Sequence, residues 1–371
     1  MSNFAHWKRP RGMIKVLHID TGLSYRGGQR QVALLINKLA AYDVRQYLAC
    51  PDKSPLTEKT FYSVEKRFSL SKTNFMRFLE RRELRHFIED HGINLIHAHD
   101  SHSHSLAVIL AGKGRLRIVV TRRSSGKIGF GSRTKYLGHN IKYIAISNYI
   151  RSMLIEDGIP EEDIAVINSM IDIGRFDYCH GKMAGIGEKQ GKIIIISAGA
   201  FDSQKGFHDA IAAISAATRQ RSDFNYILYG DGPEKDRLLK EISKNKLGDR
   251  ISLPGWHEDP SKYQREADIF VSTSYSEGLN MSIVEAMAAG TAVIATDIPP
   301  HRENIEHERT GLLFSPGDSE KLAANLIRLV ENHQLRREIA KCARIVAEKY
   351  DSHSISEKVY RLYGEVVAER A

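Results

Sequence analysis

Ser274-Tyr-Ser-Glu277-Gly278-Leu279-Asn280-Met281-Ser282-Ile-Val-Glu285-Ala-Met-Ala-Ala-Gly290 is the stretch that decides how this chain is built. It follows an apolar run at residues 269–272 that reads as a strand, and it turns into a helix closed by Gly290, a residue favoured just past a helix end. Glu277 precedes that helix and Glu285 sits inside it. The backbone amides near Asn280, Met281 and Ser282 form an electropositive helix start suited to a phosphate or diphosphate. A carboxylate can accept hydrogen bonds from two vicinal hydroxyls, so one Glu can grip a ribose and the other a sugar.

The same strand-to-helix alternation extends outward in both directions. Residues 193–196, 225–229, 251–253 and 291–295 read as further strands in the second half, and 14–19, 46–50, 95–97, 117–121 and 142–146 in the first. Helical patterns lie between most of them, as at 29–41, 75–91 and 103–111. Such alternation predicts βαβ units and parallel sheets with helices on both faces. The pattern pauses between residues 173 and 192, where glycines and charges replace apolar periodicity. The expected domains are therefore 13–175 and 176–350, with an amphipathic helix over 351–371 packing back across the junction.

Composition agrees with a globular chain: of 371 residues, 42% are hydrophobic and 27% charged, enough for two cores. No run approaches the roughly 18 apolar residues needed to span a bilayer, and residues 1–12 contain no apolar signal core. A cytoplasmic location is the expectation. The three cysteines are widely spaced and form no C-x-x-C, which argues against a disulfide framework and a thiolate metal site. Lys and Arg exceed Asp and Glu by 54 to 45, a net charge of +9 that suits phosphorylated ligands, an anionic membrane surface, nucleic acid or solubility alone. No recognised nucleic-acid motif accompanies it.

In open parallel sheets ligands bind beyond the carboxyl ends of strands, so residues that follow strands matter most. Four segments qualify besides the first. Ser197-Ala-Gly199-Ala200-Phe201-Asp-Ser-Gln-Lys205-Gly206 follows the strand at 193–196. Tyr25-Arg26-Gly27-Gly28-Gln29-Arg30-Gln31 follows the first strand, where glycines let backbone approach a ligand. His97-Ala-His99-Asp100-Ser-His102-Ser-His104 nearly matches the H-x-H-x-D-H of a binuclear zinc hydrolase. Its aspartate falls one position early and nothing else supplies that architecture, so no metal is expected. Thr121-Arg122-Arg123-Ser124-Ser125 reads either as a solvated basic loop or as cationic contacts to a phosphorylated ligand.

Taken with Tyr229-Gly-Asp-Gly232-Pro233, Leu253-Pro-Gly255-Trp256 and Thr310-Gly-Leu-Leu313, the segment from Ser274 to Gly290 resembles the motif set of retaining glycosyltransferases of family 4. The resemblance runs from about residue 14 to 350. It implies the GT-B fold: two facing Rossmann-like, doubly wound parallel-sheet domains with an interdomain cleft. It further implies that Glu285 holds the nucleotide ribose, that Glu277 with the backbone of Gly278 and Leu279 contacts the donor sugar, and that amides of Asn280, Met281 and Ser282 meet the diphosphate. Gly255 and Trp256 would meet the nucleobase. Gly199 and Lys205 would belong to the phosphate loop, Lys205 being the cation that stabilises the leaving diphosphate. Ala200 stands where the family usually carries arginine, and Met170 where it has a glycine before the linker.

In the first half, the resemblance implies that Gly27 and Gly28 lie against diphosphate and acceptor, and that His99 is the active-site histidine. Arg122 and His102 are expected on the acceptor side. The implied activity is metal-independent, retaining hexosyl transfer from a nucleotide-diphosphate sugar, with no cofactor beyond that co-substrate. Among family members the chain is most similar to bacterial enzymes of lipopolysaccharide and other cell-surface glycan synthesis. A glycan or glycolipid acceptor follows, as does peripheral contact with the anionic inner face of the cytoplasmic membrane through the basic N-terminal segment and residues 77–85. An epimerase or phosphorylase on the same fold, and a catalytically weak sugar-nucleotide-binding protein, are the alternatives; Ala200 motivates the latter.

Overall fold

The computed structural model describes residues 12–59, 61–71, 78–112, 116–129, 133–136, 140–179 and 192–368. The basic segment 1–11, Arg77 and residues 180–191 of the expected linker lie outside the described residues. The chain divides into two compact units, Met1–Met170 with Ser352–Ala371, and Ile171–Asp351.

The first unit holds β1 (Ile14–Ile19), β2 (Val44–Pro51), β3 (Val64–Leu70), β4 (Leu95–Ala98), β5 (Arg117–Arg122), β6 (Ile141–Ala145) and β7 (Ile164–Val166), paired in the order β3-β2-β1-β4-β5-β6-β7. The second holds β8 (Ile193–Ala198), β9 (Phe224–Tyr229), β10 (Ile251–Gly255), β11 (Ile269–Ser272), β12 (Ala292–Thr296) and β13 (Leu312–Phe314), in the order β10-β9-β8-β11-β12-β13. Every strand pair in both sheets is parallel. The chain winds outward one way from the first strand of each sheet, then returns beside it and winds the other way. That reversal is the Rossmann order and opens a crevice above the carboxyl ends of β1 and β4, and again above β8 and β11.

Three strands escaped the apolar pattern for identifiable reasons. β3 is an edge strand reading Val-Glu-Lys-Arg-Phe-Ser-Leu, with most of its residues exposed, so charge hides it. β7 and β13 have three residues each, too short for periodicity to register. The Thr310-Gly-Leu-Leu313 segment feeds β13, which pairs in parallel with β12.

The helix Ser352–Ala368 belongs to the first unit. Its residues Ile355, Val359, Tyr360, Leu362, Tyr363 and Val366 are buried in one cluster with Ile14 and Val16 of β1, Leu95 of β4 and Val119 of β5. No described helix is long and apolar enough to cross a membrane.

Complete burial of an apolar side chain contributes about 1.5–3 kcal/mol, and whole domains are stable by about 5–15 kcal/mol. A chain ending at Asp351 loses all six of those buried side chains, so we expect the first unit to lose its cooperative unfolding transition. The second should keep its own, as read by urea denaturation with proteolysis of each unit. A truncated chain with both transitions intact would show that the helix is dispensable.

Candidate functional site

In the second unit the loop after β8 and the loop after β11 are fixed against each other before any ligand is considered. The first loop ends in a tight turn at Ser203–Lys205, followed by Gly206 in the left-handed conformation at φ 60°. A Cβ on Gly206 would lie 2.4 Å from the carbonyl oxygen of Thr273, so only glycine fits. Thr273 Oγ1 donates to the carbonyl of Lys205 at 2.7 Å, and the Tyr275 amide donates to that of Gln204 at 2.8 Å. The turn Tyr229-Gly-Asp-Gly232-Pro233 presses on the same loop from the other side. There a Cβ on Gly230, at φ 153°, would fall 1.9 Å from the Gly199 oxygen. Gly255 adjoins this turn, its carbonyl accepting from the Gly230 amide at 3.0 Å.

This bracing delivers Lys205 Nζ to 2.6 Å from Glu277 Oε1. The same oxygen accepts from Ser274 Oγ at 2.8 Å and Asn280 Nδ2 at 3.1 Å. Asn280 occupies the N-cap position of the helix Met281–Ala288 but makes no side-chain cap. Its amide is turned instead to Glu277, to Ser272 Oγ at 2.9 Å and to His301 Nε2 at 3.4 Å. The Asn280 side chain therefore accepts from none of the first amides of this helix. His301 Nδ1 faces the Thr296 carbonyl at 2.8 Å, which requires a proton on Nδ1 and leaves Nε2 as the acceptor for Asn280. Burial lowers the His301 pKa, against the opposing pull of the Thr296 carbonyl and Glu277, so the ring is the neutral form this pattern needs.

The remaining residues of the segment divide by burial. Gly278, Leu279 and Glu285 are buried, whereas Met281 and Ser282 are half-buried at the helix start. Trp256 is 54% exposed just beyond β10, an indole surface open to a flat ring.

In the first unit, β1 and β4 end side by side, with His18 opposite His97 in register. His99 follows β4, and its amide donates to the Ile19 carbonyl at 3.0 Å. His18 Nδ1 lies 3.0 Å from His99 Nε2, and His18 Nε2 lies 3.2 Å from Gln46 Oε1. His97 is held between Tyr363 OH at 2.6 Å and Thr121 Oγ1 at 2.7 Å. Its ring centroid is 4.0 Å from that of His99.

The fold divides the histidines of this segment. His102 is exposed in the first turn of the helix Ser101–Ala111, and His104 is buried against Tyr136, ring centroids 4.6 Å apart. The histidine that joins His97 and His99 is His18, whose signal was a histidine near the end of an otherwise apolar strand. Ring nitrogens of His18, His97 and His99 lie within 4.8 Å of one another, close enough to suggest a metal. Of these nitrogens, only His99 Nδ1 lacks a hydrogen-bond partner among the described residues. The set is already engaged as hydrogen-bonding groups.

Two carboxylates frame this crevice. Asp100 accepts from the Thr21 amide at 2.7 Å and from Thr21 Oγ1 at 2.8 Å, while capping the helix that follows it. Asp20 is buried and accepts from the Gly22 amide at 2.9 Å; burial first, then the Asp100 charge, raises its pKa. Arg123 donates to the His99 carbonyl at 2.8 Å. Arg122 turns away, donating to Tyr136 OH at 3.0 Å and to the Gly126 carbonyl. Between these neighbours, then, Arg123 reaches the histidines. Gly27 and Gly28 open the helix Gly27–Leu39, and a Cβ on either would meet nothing within 4 Å.

Residues 182–346 match the family of Glycosyl transferases group 1, and residues 25–175 match Glycosyltransferase Family 4. The chain is 31% identical over 147 residues to a lipopolysaccharide core biosynthesis glycosyltransferase of Rhizobium meliloti, a match covering 40% of this chain and 42% of that one. It is 30% identical over 208 residues to an amylovoran biosynthesis glycosyltransferase of Erwinia amylovora, covering 53% and 49%. The matches thus span less than half the length of either relative. The Anabaena protein HepE, solved with UDP and glucose, superposes with a TM-score of 0.78 at 21% identity, over 93% of this chain and 98% of that one.

Burial gives His18, His97, His99 and His104 of the first unit an acid-labile character. It lowers His18 to about 4 and, helped by Lys135, His104 to about 3; His97 and His99 are pushed well below the usual value. Unfolded histidines titrate near about 6.5. Between that pH and the folded values the unfolded chain binds more protons, so stability falls as pH drops from about 6.5 towards about 4. Urea midpoints of the first unit should decrease steadily across that window. A flat profile would mean that these rings are not held neutral by burial.

Proposed function

This chain belongs to the GT-B glycosyltransferases of the group 1 and family 4 kind, and from that premise we propose that it transfers a hexosyl residue from a nucleotide-diphosphate sugar to a glycan or glycolipid, with retention of anomeric configuration. The observation that carries the reading is the convergence of Lys205, Ser274 and Asn280 on one oxygen of Glu277, beside a helix start with no side-chain cap.

Each part then has a chemical task. Oε1 of Glu277 is occupied by three donors, which fixes the carboxylate and offers Oε2 to hydroxyls of the donor sugar. Lys205 has two further N–H groups for the diphosphate, and the amides of Met281 and Ser282 add fixed dipoles. Glu285 holds the ribose, and Trp256 with Gly255 meets the base. In the reaction the acceptor hydroxyl oxygen bonds to the anomeric carbon as its bond to the phosphate oxygen breaks, and the hydroxyl proton passes to that departing oxygen. No metal takes part; charge on the leaving diphosphate is met by Lys205 and the helix amides. Ala200 leaves the phosphate loop without the second cation usual in the family, which places more of that task on Lys205.

The first unit supplies the acceptor side. His99 hydrogen-bonds a sugar hydroxyl, the amides of Gly27 and Gly28 approach the diphosphate, and His102 faces the acceptor with Arg123, which reaches the His99 carbonyl, in the place expected of Arg122. The bacterial polysaccharide relatives and the net charge of +9 support a cell-surface glycan, lipopolysaccharide core included, built at the inner face of the cytoplasmic membrane.

A panel of sugar nucleotides with glycolipid acceptors, read by mass spectrometry and product anomer, tests the reaction. Lys205→Ala should lower kcat by about 100- to 1000-fold, the scale of losing one preorganised group on developing charge. An inverted product would defeat the retaining mechanism. Sugar phosphate or epimer formed without acceptor would replace transfer by the phosphorylase or epimerase reading, and nucleotide binding without turnover by the binding-protein reading. Sedimentation with anionic vesicles should fall as salt rises; equal binding to neutral vesicles would oppose the membrane contact.

A further inference from the structure

The buried imidazoles of the first unit hold their protons in a definite order, and a fixed acceptor at one end sets it. Gln46, wholly buried on β2, directs its Nε2 to the carbonyl of Ile36 at 3.0 Å. A carbonyl only accepts, so the amide has one orientation and Oε1 faces His18. Oε1 also only accepts; the proton of His18 therefore sits on Nε2, 3.2 Å away. Burial keeps His18 neutral, which leaves its Nδ1 as a bare lone pair. The group facing that lone pair at 3.0 Å is His99 Nε2, which must donate. His99 is neutral too, through burial and then the neighbouring His97, His18 and Arg123. Its Nδ1 is consequently unprotonated.

That nitrogen is the end of the chain. His99 is 4% exposed, and its Nδ1 is buried with no partner among the described residues. A buried acceptor without a donor costs stability until a ligand supplies one. The neighbouring His97 does not compete for it, because both of its nitrogens are engaged by hydroxyls.

We infer that Gln46 and His18 are positioning residues which, acting in series from the Ile36 carbonyl, lock His99 in its Nε2–H tautomer and present an unprotonated Nδ1 to a hydroxyl of the bound sugar. The proton order follows from the geometry alone; its use in transfer rests on the glycosyltransferase reading above. With the opposite tautomer, His99 would present an N–H, which cannot accept a hydroxyl proton. A deoxy substrate lacking that hydroxyl would leave the nitrogen unpaired and bind poorly.

Nitrogen-15 spectra of the histidine-labelled full chain, with His99 assigned by comparison with His99→Gln, read the tautomer directly. The expected result is a protonated Nε2 and a bare Nδ1 on His99; a proton on Nδ1 overturns the proposal. Gln46→Leu removes the acceptor that orients His18. It should give a mixed His99 tautomer and a kcat lower by about 10- to 100-fold, the cost typical of losing an outer partner of a functional imidazole. Gln46→Glu keeps an acceptor facing His18 and should hold the wild-type tautomer and most of the activity. If the leucine variant keeps both tautomer and kcat, the positioning role is wrong. The wild-type spectrum decides the proton order even if that variant does not fold. If no sugar nucleotide supports transfer, the glycosyltransferase reading fails while the spectrum still tests the relay.

Discussion

Polar groups withdrawn from water at the carboxyl ends of parallel strands must find partners there, and this requirement organises both halves of the molecule. In the second unit the solution is centripetal: a single oxygen of Glu277 gathers a lysine from the loop after β8, a serine from the loop after β11 and an asparagine from the following helix. In the first it is linear, running from a backbone carbonyl through Gln46 and His18 to His99. Each arrangement immobilises its outermost polar atoms without a ligand present. Such preorganisation is what electrostatic catalysis requires, since groups already oriented need no reorganisation when charge develops.

The close backbone contacts serve the same end. Gly206 and Gly230 let three loops touch where any side chain would separate them. The motifs around them therefore serve as packing contacts that hold these loops in shape.

Much of this was legible in the sequence because it is local. Lys205, Glu277, Asn280 and Glu285 lie in two short segments, each following an apolar strand, and their spacing survives folding. The histidine chain was not legible, because it joins Gln46, His18 and His99 from three strands or strand ends through sheet register. His18 alone looks like an inward-facing strand residue. His102 and His104 share the dense histidine segment with His99, but the helix beginning at Ser101 turns one outward and buries the other against a tyrosine. Arg122 and Arg123 could not be told apart by composition; successive residues at a strand end point to opposite sides, and Arg123 has the side facing the histidines. β3 escaped because an edge strand satisfies its solvent side with charge.

The return of the helix Ser352–Ala368 to the first unit makes that unit discontinuous in the chain, with the second inserted between its pieces. Synthesis runs from the amino terminus, so the inserted unit is complete on the ribosome while the earlier one still lacks Tyr363 and its apolar neighbours. Nascent β1, β4 and β5 must wait with part of their core uncovered and His97 short of one hydrogen-bond partner. The unit that begins first is the last to finish, and the aggregation-prone interval of this protein falls on its amino-terminal half.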